Sequence, residues 1–526
     1  MLQSMQSMQT LLRYVAIASM VLALGACDKK DSADASASAN ASSASVTYKI
    51  LAGSELKDVQ NMVQEYGRTQ NVNIVFDYTG TLDAVDRLKG ANDYDAVWLS
   101  NGKYLQMQPQ LKTQIKASEK IMYSPVVLGV KSSTMQKLGW QSGKTGWTDI
   151  LKAAKAGQFH FAMTNPAGSN TGFVALVGIA AELSGKGDAL EEKDIPVDKL
   201  KEFFSAQTMT AGSSGALAEM FAANPRVDGI INYESVIRSM PAAIGLDILV
   251  PKEGVITADY PLMQLAQSKQ AAFYPKLVAW LRQDATQKQI ATTTNRTPLA
   301  GNGRNEVINE LPFPASNIVV DAILQGFLDS YSRPASSYFV LDVSGSMAGP
   351  RLDGLKDTML SLANGDGSTG GRFASLRARE QIHVLAFSNE PKEIRDYELT
   401  TDREKNLTVL SSLSSQINNL KAGGGTAIFS SIASQYKRAQ AELRQEERSV
   451  SIVLLTDGEN TDGMRLEEFR DFIAKMGSPK VPVFAIIYGD AKPSEMTELA
   501  TLTGGRVFDA RKVKLSQVMR DIRNYQ

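Results

Sequence analysis

Short β-branched runs alternate with amphipathic stretches along most of this chain, and they do so in two separate series. The first series holds runs at 48–52, 73–78, 94–100, 125–130, 229–233 and 247–250, with helical segments such as 56–69 between them. The second begins at Tyr338, with runs at 338–342, 382–387, 450–456, 481–488 and 506–508. Such alternation predicts α/β folding around mostly parallel sheets. Arg333-Pro334-Ala335 separates the series and reads as a domain boundary. A length of 526 residues gives two or three domains room for cores of their own.

Composition removes several functional classes. Lys plus Arg and Asp plus Glu both total 56, which argues against nucleic-acid binding, where a basic excess is usual. One cysteine excludes an internal disulfide and a Cys-rich zinc site. The two histidines, His160 and His383, sit in distant segments, so a multi-histidine metal site is excluded as well.

Residues 1–26 read as a targeting segment. Arg13 is their only charge, and the apolar run 14–26 falls short of the about 20 residues a bilayer span needs. The run ends Leu24-Gly25-Ala26-Cys27, which resembles the bacterial lipoprotein signal. The resemblance implies cleavage before Cys27, lipid on its thiol and a lipid-anchored protein on the periplasmic or extracellular face of a bacterial membrane. The alternative is a plain secretory signal with a chance cysteine. Residues 28–46 are Ala/Ser-rich, show no hydrophobic period, and predict a flexible tether with a reach of roughly 25 Å.

In the second series, the apolar run ending at Asp342 continues Val343-Ser344-Gly345-Ser346. This places one carboxylate and two hydroxyls on a loop at a strand's carboxyl end, where open α/β sheets bind ligands. A hard divalent cation takes six oxygens, so more donors must come from neighbouring strand ends. Thr426, after Gly423-Gly424-Gly425, and Asp457, after the apolar run 452–456, are the candidates. These residues resemble the metal-ion-dependent adhesion site of von Willebrand factor A (VWA) domains. The resemblance covers 333–526 and implies a doubly wound, Rossmann-like fold. It implies that Ser344, Ser346 and Thr426 bind Mg²⁺ (with Mn²⁺ or Ca²⁺ as alternatives), and that Asp342 and Asp457 stand beside the ion. It also implies a protein partner that offers a carboxylate to the metal. Glu459 and Asp462 read as a solvated acidic loop, and His383 as a hydrogen-bonded structural residue. No nucleophile–base pair accompanies the donors, so binding is preferred over metal-dependent hydrolysis.

In the first series, small polar residues recur at strand-to-helix turns: Gly53 and Ser54, Thr79 and Gly80, Ser100, then Thr164, Asn165, Ser169, Asn170 and Thr171, then Ser213 and Ser214. Helix N-termini present unpaired N–H groups that suit anionic or strongly polar ligands. The set resembles the type II periplasmic solute-binding proteins of ABC transporters. That resemblance implies two α/β lobes, one of 47–124 plus 261–331 and one of 125–260, with crossovers at 123–130 and 259–262. It also implies a small polar or anionic solute between them, with Ser124, Tyr233 and Tyr260 as further cleft candidates and Glu234 as a ligand or hinge brace. The expected whole, over 47–332 and 333–526, is a membrane-anchored binding protein that senses or assembles. A transporter component regulated by the VWA domain is the rival reading.

Overall fold

The computed structural model describes residues 46–224, 226–299, 308–365, 368–445, 447–489, 493–511 and 513–526. Cys27, the expected signal and nearly all of the tether lie outside them. In chain order, the first strands are β1 (Val46–Gly53), β2 (Val72–Thr79), β3 (Ala96–Trp98) and β4 (Ile115–Lys120). Then come β5 (Met122–Lys131), β6 (Phe161–Thr164), β7 (Gln207–Ala211), β8 (Gly229–Tyr233) and β9 (Leu246–Leu249). They are followed by β10 (Thr257–Ala258), β11 (Pro261–Leu265) and β12 (Thr297–Pro298). The last are β13 (Ala335–Asp342), β14 (Gln381–Phe387), β15 (Pro391–Glu398), β16 (Ser449–Thr456), β17 (Val483–Ile487) and β18 (Arg506–Asp509).

Two sheets build a two-lobed body. The first has the order β2-β1-β3-β11-β4, and the second runs β10-β5-β8-β6-β7, with β9 and β12 also pairing β5. The chain passes between them three times, the last on the way from β11 to β12. It leaves the first sheet at Lys120 and enters the second at Met122; it returns from Ala258 to Pro261. The return falls at the expected 259–262, while the outgoing pass comes just before the expected 123–130. The stretch after β12 behaves differently from the expectation. Leu311 donates its N–H to the Val255 carbonyl, and the Phe313 ring lies 6.4 Å from Phe173. Residues 308–331 therefore lie largely against the second lobe, because their apolar side chains find the largely apolar, buried helix Asn170–Ser184 there.

The third sheet has the order β15-β14-β13-β16-β17-β18, parallel except for β15. Side chains along its central strands alternate between two cores, as a period of two demands. Tyr338, Val340, Ile452 and Leu454 face one core, with the helices Ile428–Leu443 and Leu466–Met476. Phe339, Leu341, Val453 and Leu455 face the other, with Pro350–Asn364 and Leu515–Arg523. Buried on both faces, these strands read as continuous apolar runs.

Candidate functional site

Asp342 is the last residue of β13, and the pairing Leu341↔Leu455 sets it beside the end of β16. Its carboxylate is fully buried and held from two sides: Oδ1 accepts the Ser344 N–H at 2.8 Å and Oδ2 the Thr456 hydroxyl at 2.7 Å. Burial pushes this carboxyl up, and the charge of Asp457 adds to the rise; the bonds from Thr456 and Ser344 oppose it. Ser344 Oγ lies 3.0 Å from Ser346 Oγ, which donates to Asp457 Oδ1 at 2.8 Å. A methyl placed on Gly458 would lie 3.5 Å from Ser346 Oγ and 3.6 Å from Thr426 Oγ1, so the Thr426 hydroxyl shares this small space. The five residues separated in sequence thus meet at one end of the sheet. Ser346 is exposed while Asp342, Ser344, Thr426 and Asp457 are buried, so the cluster opens to solvent at Ser346.

The glycine loop makes this approach feasible. Gly424 has φ +89°, and its carbonyl accepts the Gly345 N–H at 2.9 Å. A side chain there would strain the backbone and strike Asn389 Oδ1 at 2.2 Å. Arg351 was not anticipated at the site, nor was the role of Asp462. Arg351 donates through Nη1 to Asp457 Oδ2 at 2.6 Å. Asp462 is more than a solvated acid: it accepts the Thr426 N–H at 3.1 Å, and the Thr461 hydroxyl holds its carboxyl below the usual range. His383 stacks on Tyr338 with centroids 4.1 Å apart and lies 2.6 Å from Asp396 Oδ1 through Nδ1. Burial lowers its pKa.

Among the described residues no group of three or more His, Cys, Asp or Glu could hold a metal. The cluster here has a different donor chemistry, two carboxylates and three hydroxyls. In an octahedron with Mg²⁺–oxygen bonds of 2.0–2.1 Å, neighbouring ligands stand about 2.9 Å apart. The Ser344–Ser346 separation of 3.0 Å fits that spacing, while Ser346 and Asp457, 2.8 Å apart, are joined by a hydrogen bond.

The cleft candidates fall into four groups. Ser100, Asn170, Thr171, Tyr233 and Tyr260 meet in the buried seam between the lobes. Tyr233 donates to Ser100 Oγ at 2.7 Å, and Asn170 Nδ2 to Glu55 Oε1 at 3.1 Å. The Thr81 hydroxyl bonds Asn170 Oδ1, and Arg296 lies 4.8 Å over the Tyr260 ring. Glu55 went unnoticed in the sequence; burial pushes its carboxyl up, against the bonds from Asn170 and Ser100 and the charge of Arg296. Gly53, Ser54, Thr79 and Gly80 line the lobe-one rim, where a methyl on Gly80 would strike the Gly168 carbonyl at 2.4 Å. Thr164, Asn165 and Ser169 form the facing rim on lobe two, with Thr164 fully buried. The remaining candidates serve local structure. Ser213 caps its helix by accepting the Ala216 N–H, and the Ser214 carbonyl accepts Asn232. Ser124 bonds Ser235, and Glu234 pairs with Arg238 one helical turn on.

The model of the family "bacterial extracellular solute-binding protein" matches residues 49–292, and that of the "von Willebrand factor type A domain" matches 338–521. The chain joins a bacterial extracellular solute-binding domain to a VWA domain. The inter-alpha-trypsin inhibitor heavy chains H3 of Pongo abelii and Homo sapiens are each 25% identical over 162 residues, 30% of this chain. That stretch is 17% of those relatives' length. Among solved structures, the periplasmic binding protein AfuA from Actinobacillus pleuropneumoniae is 13% identical with a TM-score of 0.43, over 54% of this chain and 98% of its own. The ferric binding protein from Campylobacter jejuni is 14% identical with a TM-score of 0.39, over 53% and 95%. No described helix is long and apolar enough to cross a membrane.

Proposed function

We propose that this is an extracytoplasmic binding protein whose VWA domain docks an acidic segment of a protein partner through one divalent ion. The observation that carries this reading is the meeting of Asp342, Ser344, Ser346, Thr426 and Asp457 at one end of the sheet, with Ser346 exposed. Ser344, Ser346 and Thr426 would hold the ion, with Asp342 and Asp457 beside it. The bound cation would supply a Lewis-acidic position for a carboxylate. The buried carboxylates balance its charge, and the exposed side leaves room for the partner's Asp or Glu. Mg²⁺ suits the spacing, with Mn²⁺ of similar demand; Ca²⁺, at 2.3–2.6 Å from its oxygens, would need the loop to widen. The solute-binding domain would take a small polar or anionic solute between its lobes, and lipid on Cys27 would tether the whole to a membrane.

A peptide array bearing Asp or Glu, compared with the same array bearing Asn or Gln, tests the docking mode. Binding should be confined to the acidic peptides, require Mg²⁺, and vanish with chelator and in Asp457→Ala. Equal binding to the amide array would refute it.

A further inference from the structure

The loops that face a solute in the expected cleft are covered by this chain's own VWA domain. On lobe two, Asn165 donates through Nδ2 to the Arg523 carbonyl at 3.2 Å. A methyl on Gly168 would strike the Asn524 side chain at 2.0 Å, and one on Gly212 would meet the Tyr525 ring at 2.9 Å. Tyr525 is fixed from behind, packed 5.6 Å from Phe484 and 6.0 Å from Phe508. The same domain also grips lobe one. Phe373, 2% exposed, is buried among the lobes' core residues, with its helix Thr369–Ala374 against Thr81–Lys89. Arg520 lies 4.0 Å from Asp83 on that lobe-one helix. Asp321 ties the grip together, accepting Tyr104 of lobe one at 2.6 Å and Arg372 of the VWA domain at 2.9 Å.

From this we infer that the VWA domain is a clamp on the solute-binding cleft: docked across both lobes, it holds them shut, and the cleft opens only when the VWA domain releases one of them. Within the seam the lobes already bond each other through Tyr233 and Ser100, Asn170 and Glu55, and Thr81 and Asn170. Separating the lobes breaks these bonds. It also forces either Phe373 out of its apolar seat on lobe one or Asn524 and Tyr525 off the Gly168 and Gly212 loops of lobe two. The linker gives the VWA domain little freedom to follow a moving lobe, since Arg379 donates to the Asp329 and Ser332 carbonyls at 2.8 and 2.9 Å. Coupling of this kind is reciprocal: whatever favours the open cleft favours an undocked VWA domain, and to the same degree. The inference needs neither the metal nor a solute, so it stands or falls apart from the docking function proposed above.

Hydrogen–deuterium exchange on the full chain tests it with two variants from opposite sides of the contact, Tyr525→Ala and Gly212→Leu. The reporters are residues that neither substitution touches: Ala84, bonded to the Gly80 carbonyl on lobe one, and Asp259 and Tyr260, bonded to the Ser100 carbonyl at the crossover. Both variants should accelerate exchange at these amides by about tenfold or more while β13 and β16 keep their protection. Tyr525→Phe should exchange like the native chain. Acceleration confined to 165–169 and 212–216 would overturn the clamp. Should Tyr525→Ala also loosen β13, Gly212→Leu, which alters no VWA residue, decides between the two outcomes.

Discussion

Arg351 sets the charge balance at the candidate metal site. Its guanidinium holds one oxygen of Asp457 while the other oxygen faces Ser346. A divalent ion must share this carboxylate with a cation already in place. Removing a positive charge a few ångströms away should therefore tighten metal binding. For Arg351→Ala we expect about a tenfold gain in Mn²⁺ affinity, counted as free Mn²⁺ by electron paramagnetic resonance. Unchanged or weaker binding would mean that Arg351 orients Asp457 rather than competing for it. That Asp342, Ser344, Ser346, Thr426 and Asp457 meet was legible in sequence because each follows an apolar strand or precedes a helix in a recognisable order. Thr456 and Arg351 were not. Thr456 ends a β-branched run and reads as strand until β16 lies beside β13. Arg351 opens a helix, where an arginine ordinarily faces solvent. Glu55 was hidden for a similar reason, since a first-turn acid reads as a partner for the helix dipole.

Burial on both faces writes an apolar run that made several strands legible, though the short buried β6 was not among the expected runs. Expected and observed limits of β8 coincide, and those of β13, β14 and β16 differ only at their starts. The sheet-edge strands β4 and β15, Ile-Lys-Ala-Ser-Glu-Lys and Pro-Lys-Glu-Ile-Arg-Asp-Tyr-Glu, carry no such run and were not anticipated. The helix Leu515–Arg523 is amphipathic, yet its anchor is a charge. Arg523, 0% exposed, donates to both oxygens of buried Glu380 at 2.7 and 2.8 Å. Burial alone would raise the Glu380 carboxyl, but Arg523 and Arg377 hold it below the usual range. Breaking one side of a buried pair leaves the other uncompensated and costs about 3–5 kcal/mol. Glu380→Gln should lower the VWA melting transition followed by circular dichroism. The tryptophan-reported transition should move less, because Trp98, Trp140, Trp147 and Trp280 all lie in the solute-binding domain. A melting curve that does not move would show that the pair with Glu380 is not what anchors this helix.

At the scale of the whole molecule, two binding modules share one compact body, and their junction is the part least visible in sequence. Contacts such as Gly168 with Asn524, or Asn165 with Arg523, join residues with no local pattern in common. The small residues at 164–172 and 212–215 read in sequence as a ligand-facing set; that Asn165, Gly168 and Gly212 meet this chain's own VWA domain was not legible. The account as a whole rests on oxygens from distant segments forming one cation site. Titration calorimetry of Mg²⁺ into the full native chain, beside Asp457→Ala, tests that most directly. The native chain should show one saturable site, and at a free concentration about 100-fold above the dissociation constant it should gain about 2.7 kcal/mol of stability, with both effects lost in the variant. A flat isotherm for the native chain, or a variant that binds equally well, would contradict it.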